Sequence, residues 1–144
     1  MVLQEIISNP QLSLKKIEYK SLPADTENDE LNVDVADNFH SKLSKSGDKL
    51  LVVFSRNISM NTPQLFAITV EYLVSWDIKE KEENFPQLVE KIDNWNNEEI
   101  NTLCFTSIAE SVFAISQLTK AAFMPPLLTP CEFVDSTDVT DDEA

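Results

Sequence analysis

Glycine is almost missing from this chain of 144 residues, where Gly47 stands alone. Loops that cradle phosphate need several glycines, so P-loop and dinucleotide-binding readings fall on composition. Histidine is as scarce. His40 is single, which leaves no second imidazole for a multi-histidine metal site. His40 stands near Asp37 and Ser41, but neighbours in sequence do not make a triad in space. Acid clusters such as Glu80, Glu82 and Glu83 lack the Asp-x-Asp-x-Asp-Gly spacing of a calcium loop and read as solvated surface. Two cysteines, Cys104 and Cys131, sit in apolar company and build no disulfide framework. Base is short: Lys plus Arg is 11 against 25 for Asp plus Glu, a formal net charge of −14. Nucleic acid and anionic membrane would repel such a chain. No run approaches the ~20 consecutive apolar residues of a membrane span. The start, Met1-Val-Leu-Gln-Glu-Ile-Ile, has no basic stretch and does not read as a secretory signal. A reduced, cytoplasmic, non-enzymatic protein without metal or cofactor is the expectation.

What is present is periodic. Phe66, Ile68, Val70, Tyr72, Val74, Trp76 and Ile78 hold every even position, which predicts one long strand with a buried face. Lys49 to Met60 alternates in the same phase, and only Arg56 breaks it. Asn61-Thr-Pro63 predicts the turn between them. Leu12, Leu14, Ile17 and Tyr19 alternate with a slip at Lys15-Lys16, which predicts a strand with a bulge. Leu31 to Val35 predicts a short strand, and Lys79 to Glu83 a charged loop. Phe85, Leu88, Val89, Ile92 and Trp95 fall at helical spacing. Asn96 with Glu99 three residues on predicts a capping box, and a long helix over 97–121. Strands followed by helix make an α+β domain.

The helix carries an apolar stripe wider than one sheet face needs. Phe105 and Phe113 flank Ile108 and Val112, so these four are the candidate oligomer interface. After it comes Ala121-Ala-Phe-Met-Pro-Pro-Leu-Leu-Thr-Pro-Cys-Glu-Phe133, almost wholly apolar. Its prolines forbid a continuing helix or a central strand. An extended greasy strip is expected to be covered or used. Phe123, Met124, Leu127, Leu128 and Phe133 are candidate contacts for apolar polypeptide, with Trp76, Phe85 and Trp95 as further candidates. The competing reading for Trp76 is plain core, from its place in the alternating strand. Residues 134–144 are acidic and lack apolar content to pack, which sets a domain over 1–133 and a flexible tail.

This order of elements resembles the SecB-type protein-export chaperones, over about Leu14 to Phe133. The resemblance rests on the paired strands Lys49 to Ile78, on the long helix, and on the apolar loop ending in Leu128-Thr-Pro-Cys-Glu-Phe133. It implies a four-stranded antiparallel sheet with a long C-terminal helix, assembled as a dimer of dimers. It also implies ATP-independent holding of unfolded or precursor polypeptides in apolar grooves, and delivery to the SecA export motor. Two departures stand out. The family carries a second helix after the proline-rich loop, where this chain has only the acidic tail. The positions matching the family's motor-docking carboxylates are Ser21 and Thr69, both uncharged. A dedicated adaptor for one partner, as in SecB-like proteins serving toxin–antitoxin systems, is the first alternative. A small-molecule-binding α+β domain is the second.

Overall fold

The even-numbered residues of the long alternating segment point to one side of a sheet. Ile68, Val70, Tyr72, Val74 and Ile78 are all buried, whereas their odd-numbered neighbours are only partly covered. In the computed structural model, which describes residues 3–22, 32–61, 65–121 and 127–134, this segment is β4, Leu65–Ile78. Before it come α1 (Leu3–Ile6), β1 (Ile7–Leu22), β2 (Asn32–Leu43) and β3 (Lys49–Asn61). After it come α2 (Lys81–Lys91) and α3 (Asn97–Ala121). The strands form one antiparallel sheet in the order β1-β4-β3-β2.

The sequence expectations meet this architecture with several differences, the first being that α1 is not expected and that β1 starts at Ile7 rather than at Leu12. The slip at Lys15-Lys16 is a register shift between Leu14 and Lys16, as expected, and a second shift lies between Ser8 and Gln11. There Asn9 takes a left-handed φ of 55°. Strand β2 runs on to Leu43 rather than stopping at Val35. Helix α2 begins at Lys81, inside the segment expected to be loop, and Trp95 lies beyond its end. Residues 62–64, the expected turn between β3 and β4, lie outside the described residues.

Helix α3 lies across the inner face of β3 and β4. Leu103, Cys104 and Ile108 pack with Leu50, Val52 and Phe54, and Ile115 packs with Ile58, Ile68, Val70 and Tyr72. Its start is the predicted capping box. The Glu99 N–H donates to Asn96 Oδ1 at 2.8 Å, and the Asn96 N–H donates to Glu99 Oε1 at 3.0 Å. Two orphan donors of the first turn are thereby satisfied. Gly47 sits at the β2–β3 turn with φ +75°, and an added Cβ would come within 3.2 Å of the Phe85 ring. Left-handed backbone and close approach both call for glycine there.

Candidate functional site

Two charged residues break the inward alternation of neighbouring strands, and they face each other. On β2 the inward positions are Val35, Asp37, Phe39, Ser41 and Leu43; on β3 the break is Arg56. The strand register pairs Asp37 directly with Arg56. Arg56 Nε donates to Asp37 Oδ1 and Nη2 donates to Oδ2, each at 2.8 Å, a bidentate pair with both side chains closed to solvent. The planar guanidinium fork suits a carboxylate in this way. It also lies over the Phe54 ring, 5.8 Å from the centroid.

The remaining donors of Arg56 reach the proline-rich segment. Nη1 donates to Thr129 Oγ1 at 3.0 Å and to the Pro130 carbonyl at 2.5 Å, and Nη2 donates to the Glu132 carbonyl at 2.9 Å. Asp37 completes the contact. Its backbone N–H donates to the Val134 carbonyl at 2.9 Å, and its Oδ2 accepts from the Val134 N–H at 2.8 Å. The boundary drawn on composition between Phe133 and Val134 therefore falls inside a structural contact. Helix α3 holds the same segment from its other side. Thr119 Oγ1 accepts from the Leu127 N–H at 2.8 Å, and Asn101 Oδ1 accepts from the Phe133 N–H at 2.9 Å. A segment that cannot form a ladder thus has its backbone groups satisfied by side chains.

The candidate residues divide accordingly. Leu128 is 78% exposed on the outside of the strip. Leu127 packs partly against Ile58 and its neighbours. Phe133 turns inward, edge-on to Phe39 and Phe54 at ring centroid distances of 6.5 and 6.1 Å. Phe123 and Met124 lie outside the described residues. Trp76, Phe85 and Trp95 are partly buried against the core. The Trp95 indole N–H donates to Ser41 Oγ at 2.9 Å, and Ser41 Oγ in turn donates to the Ile92 carbonyl. Trp95 therefore ties the connection after α2 to the sheet, while Trp76, on β4, and Phe85, on α2, pack against the same core. On α3, Phe105 and Phe113 are 70% and 63% exposed. Ile108 is enclosed in its own subunit's core, and Val112 packs partly against it. Of the four candidate interface residues, the two phenylalanines are the ones that reach outward. Phe105 shares an open depression of about 620 Å³ with Cys131, Glu132, Gln4, Glu98, Asn101 and Thr102.

The two cysteines differ in environment. Burial pushes the Cys104 thiol up to about 12, with the negative charge of Asp37 adding to it. Cys131 is exposed. Sequence reasoning missed Asp37, Arg56 and Thr129 as a unit. The available signal was that Asp37 and Arg56 carry opposite charge at inward positions of adjacent strands.

A four-stranded antiparallel sheet in the order β1-β4-β3-β2, covered on one face by a long C-terminal helix, is the SecB-like fold. The comparison that shows it is with a SecB-like chaperone of Mycobacterium tuberculosis, solved in complex with a ChAD peptide from the HigA1 antitoxin. The two align with a TM-score of 0.63 at 14% identity, over 89% of this chain and 92% of that one. A protein of unknown function from Streptococcus agalactiae aligns at a TM-score of 0.45 and 12% identity, over 85% of this chain and 99% of that chain. No family model and no curated protein sequence matches. No helix among the described residues is long and apolar enough to cross a membrane.

Proposed function

We propose that this chain is a SecB-like chaperone that binds a dedicated polypeptide partner without ATP and without catalysis. The likeness to a chaperone holding an antitoxin peptide carries the reading. Exposed apolar surface supports it, because Leu128 offers a large side chain to an extended apolar chain. On the sheet face away from the helix Glu18 lies opposite Thr69 and is ion-paired with Lys16 and Lys20, and Glu71 lies two residues on, so the reading of a dedicated partner rests there on Thr69 alone. There Thr69, at a position where the family resemblance implies a carboxylate, is uncharged and donates its hydroxyl to Asn57 Oδ1 at 2.9 Å. In this reading the chain works in the cytoplasm as a dimer of dimers, with Phe105 and Phe113 at the contact between copies. The chaperone domain expected over residues 1–133 takes in Val134 as well through its contact with Asp37, and the acidic stretch beyond is a tail.

A peptide array of overlapping segments from many unrelated proteins, with and without apolar clusters, tests the proposal. A dedicated chaperone binds a narrow subset. Binding of every apolar segment alike returns the general holdase for exported precursors, and binding of none removes the chaperone reading.

A further inference from the structure

Buried ion pairs contribute little net stability, and apolar residues of similar volume often replace them without loss. Arg56 is nonetheless fully enclosed on a strand face otherwise made of Leu50, Val52, Phe54 and Ile58. Its hydrogen bonds divide between two targets. Two go to Asp37 and three go to Thr129, Pro130 and Glu132. The pair therefore ties the proline-rich segment to the middle of the sheet. Consecutive side chains of an extended backbone point opposite ways. Whichever residue is drawn inward decides which neighbour faces solvent. Thr129 is drawn inward and is buried, and Leu128 beside it is turned out.

We propose that Asp37 and Arg56 are the positioning residues of the partner-binding strip: together they hold residues 129–134 against the sheet, with Thr129 inward, so that Leu128 is presented to a bound polypeptide. This rests on the chaperone reading and adds which buried groups prepare its surface. The paired contact of Asp37 with the Val134 N–H and carbonyl stops the strip from sliding along β2. The anchors at Thr119 and Asn101 do not involve the pair. Loss of the pair therefore releases the strip from the sheet at Thr129, Pro130, Glu132 and Val134, while Leu127 and Phe133 stay tied to α3. A polar pair gives one register where apolar packing alone would accept several, the use for which buried polar groups are best attested.

The test is the double variant Asp37→Leu/Arg56→Met, which removes the pair without stranding a charge. A fluorescent probe on the exposed Cys131 and hydrogen exchange at the Val134 amide report the register. Affinity for a peptide selected on the array reports the function. Circular dichroism is expected to match the native chain. The Val134 amide should lose its protection, the probe should gain local mobility, and peptide affinity should fall about tenfold or more. If the double variant fails to fold, Thr129→Val takes its place, since it removes one Arg56 contact at nearly constant shape. A Val134 amide as protected as in the native chain overturns the positioning role. So does unchanged peptide affinity in a variant whose register is lost. Absence of peptide binding by the native chain would overturn the chaperone reading instead, while Val134 protection still decides the register.

Discussion

Asp37 and Arg56 sit directly opposite each other on adjacent strands and meet through two hydrogen bonds of 2.8 Å inside a mostly apolar face. Each residue is tolerable there only because of the other. An isolated buried charge is far costlier than a paired one. The asymmetry is measurable by urea unfolding. Asp37→Ala strands the guanidinium and should lower stability by about 3–5 kcal/mol. Asp37→Leu/Arg56→Met should lose much less than that. Equal losses in the two variants would show that the pair is not mutually dependent.

The capping box gives a second prediction, with a pH dependence. Burial works to raise the Glu99 carboxyl, but the Lys91 ammonium and the Asn96 N–H outweigh it and hold the carboxyl below its ordinary value. The Lys91 Nζ to Glu99 Oε1 distance is 2.8 Å. A depressed carboxyl means that the unfolded chain takes up its proton first as pH falls. The stabilising contribution is therefore complete above the ordinary carboxylate value, about 4.3, and is lost as pH falls through the lower folded value. Glu99→Gln should flatten this part of the acid unfolding profile. Asn96→Ala should reduce stability by about 0.5–2 kcal/mol. Parallel acid profiles for the native chain and Glu99→Gln would contradict the assignment.

The thiols should separate cleanly. At pH 8 a thiol reagent should label Cys131 within the native state and leave Cys104 untouched until the chain unfolds. Cys104 is buried and its thiol is pushed up to about 12. The sign of the linkage follows. Between about 8.5, the ordinary thiol value, and 12, the unfolded chain has released the proton and the folded chain has not. Stability should therefore fall with rising pH in that window, and Cys104→Ala should make that slope shallower, the part above about 10 being shared with Tyr72, which burial also raises. Labelling of both thiols at one rate in the native state would place Cys104 wrongly.

The two kinds of helix residue should respond differently to charge. Phe105→Glu changes an exposed side chain, so circular dichroism and melting should stay close to native while solution mass by light scattering falls. Ile108→Glu buries a charge in the core and should unfold the subunit. An unchanged mass for Phe105→Glu, or a monomeric native chain, would remove Phe105 from the contact between copies.

The parts of this fold legible in the sequence are those where local pattern and burial agree. The even-numbered apolar run of β4 and the Asn96–Glu99 box at the head of α3 are of this kind. Strand β2 was legible only as far as Val35, because its later inward positions include Asp37 and Ser41. Both are partnered at long range, Asp37 by Arg56 and Ser41 by Trp95 and the Ile92 carbonyl, and no local window contains those partners. Helix α2 starts earlier than expected because Glu80, in a left-handed conformation, accepts from the N–H groups of Glu83 and Asn84. The proline-rich strip was recognisable as apolar and irregular. Which of its residues face outward was not, since Arg56 and Asp37 decide that from distant strands.

The account stands most directly on polypeptide binding through the strip, and Leu128→Glu tests it. The substitution alters a side chain that is mostly in solvent and leaves the Arg56 contacts in place. Peptide affinity is to be measured by fluorescence anisotropy for the native chain and the variant, at equal subunit concentration and matched oligomer mass. The account predicts micromolar-range binding of a narrow peptide set by the native chain and at least about tenfold weaker binding by Leu128→Glu. Native-strength binding by Leu128→Glu, at unchanged fold and assembly, would contradict it.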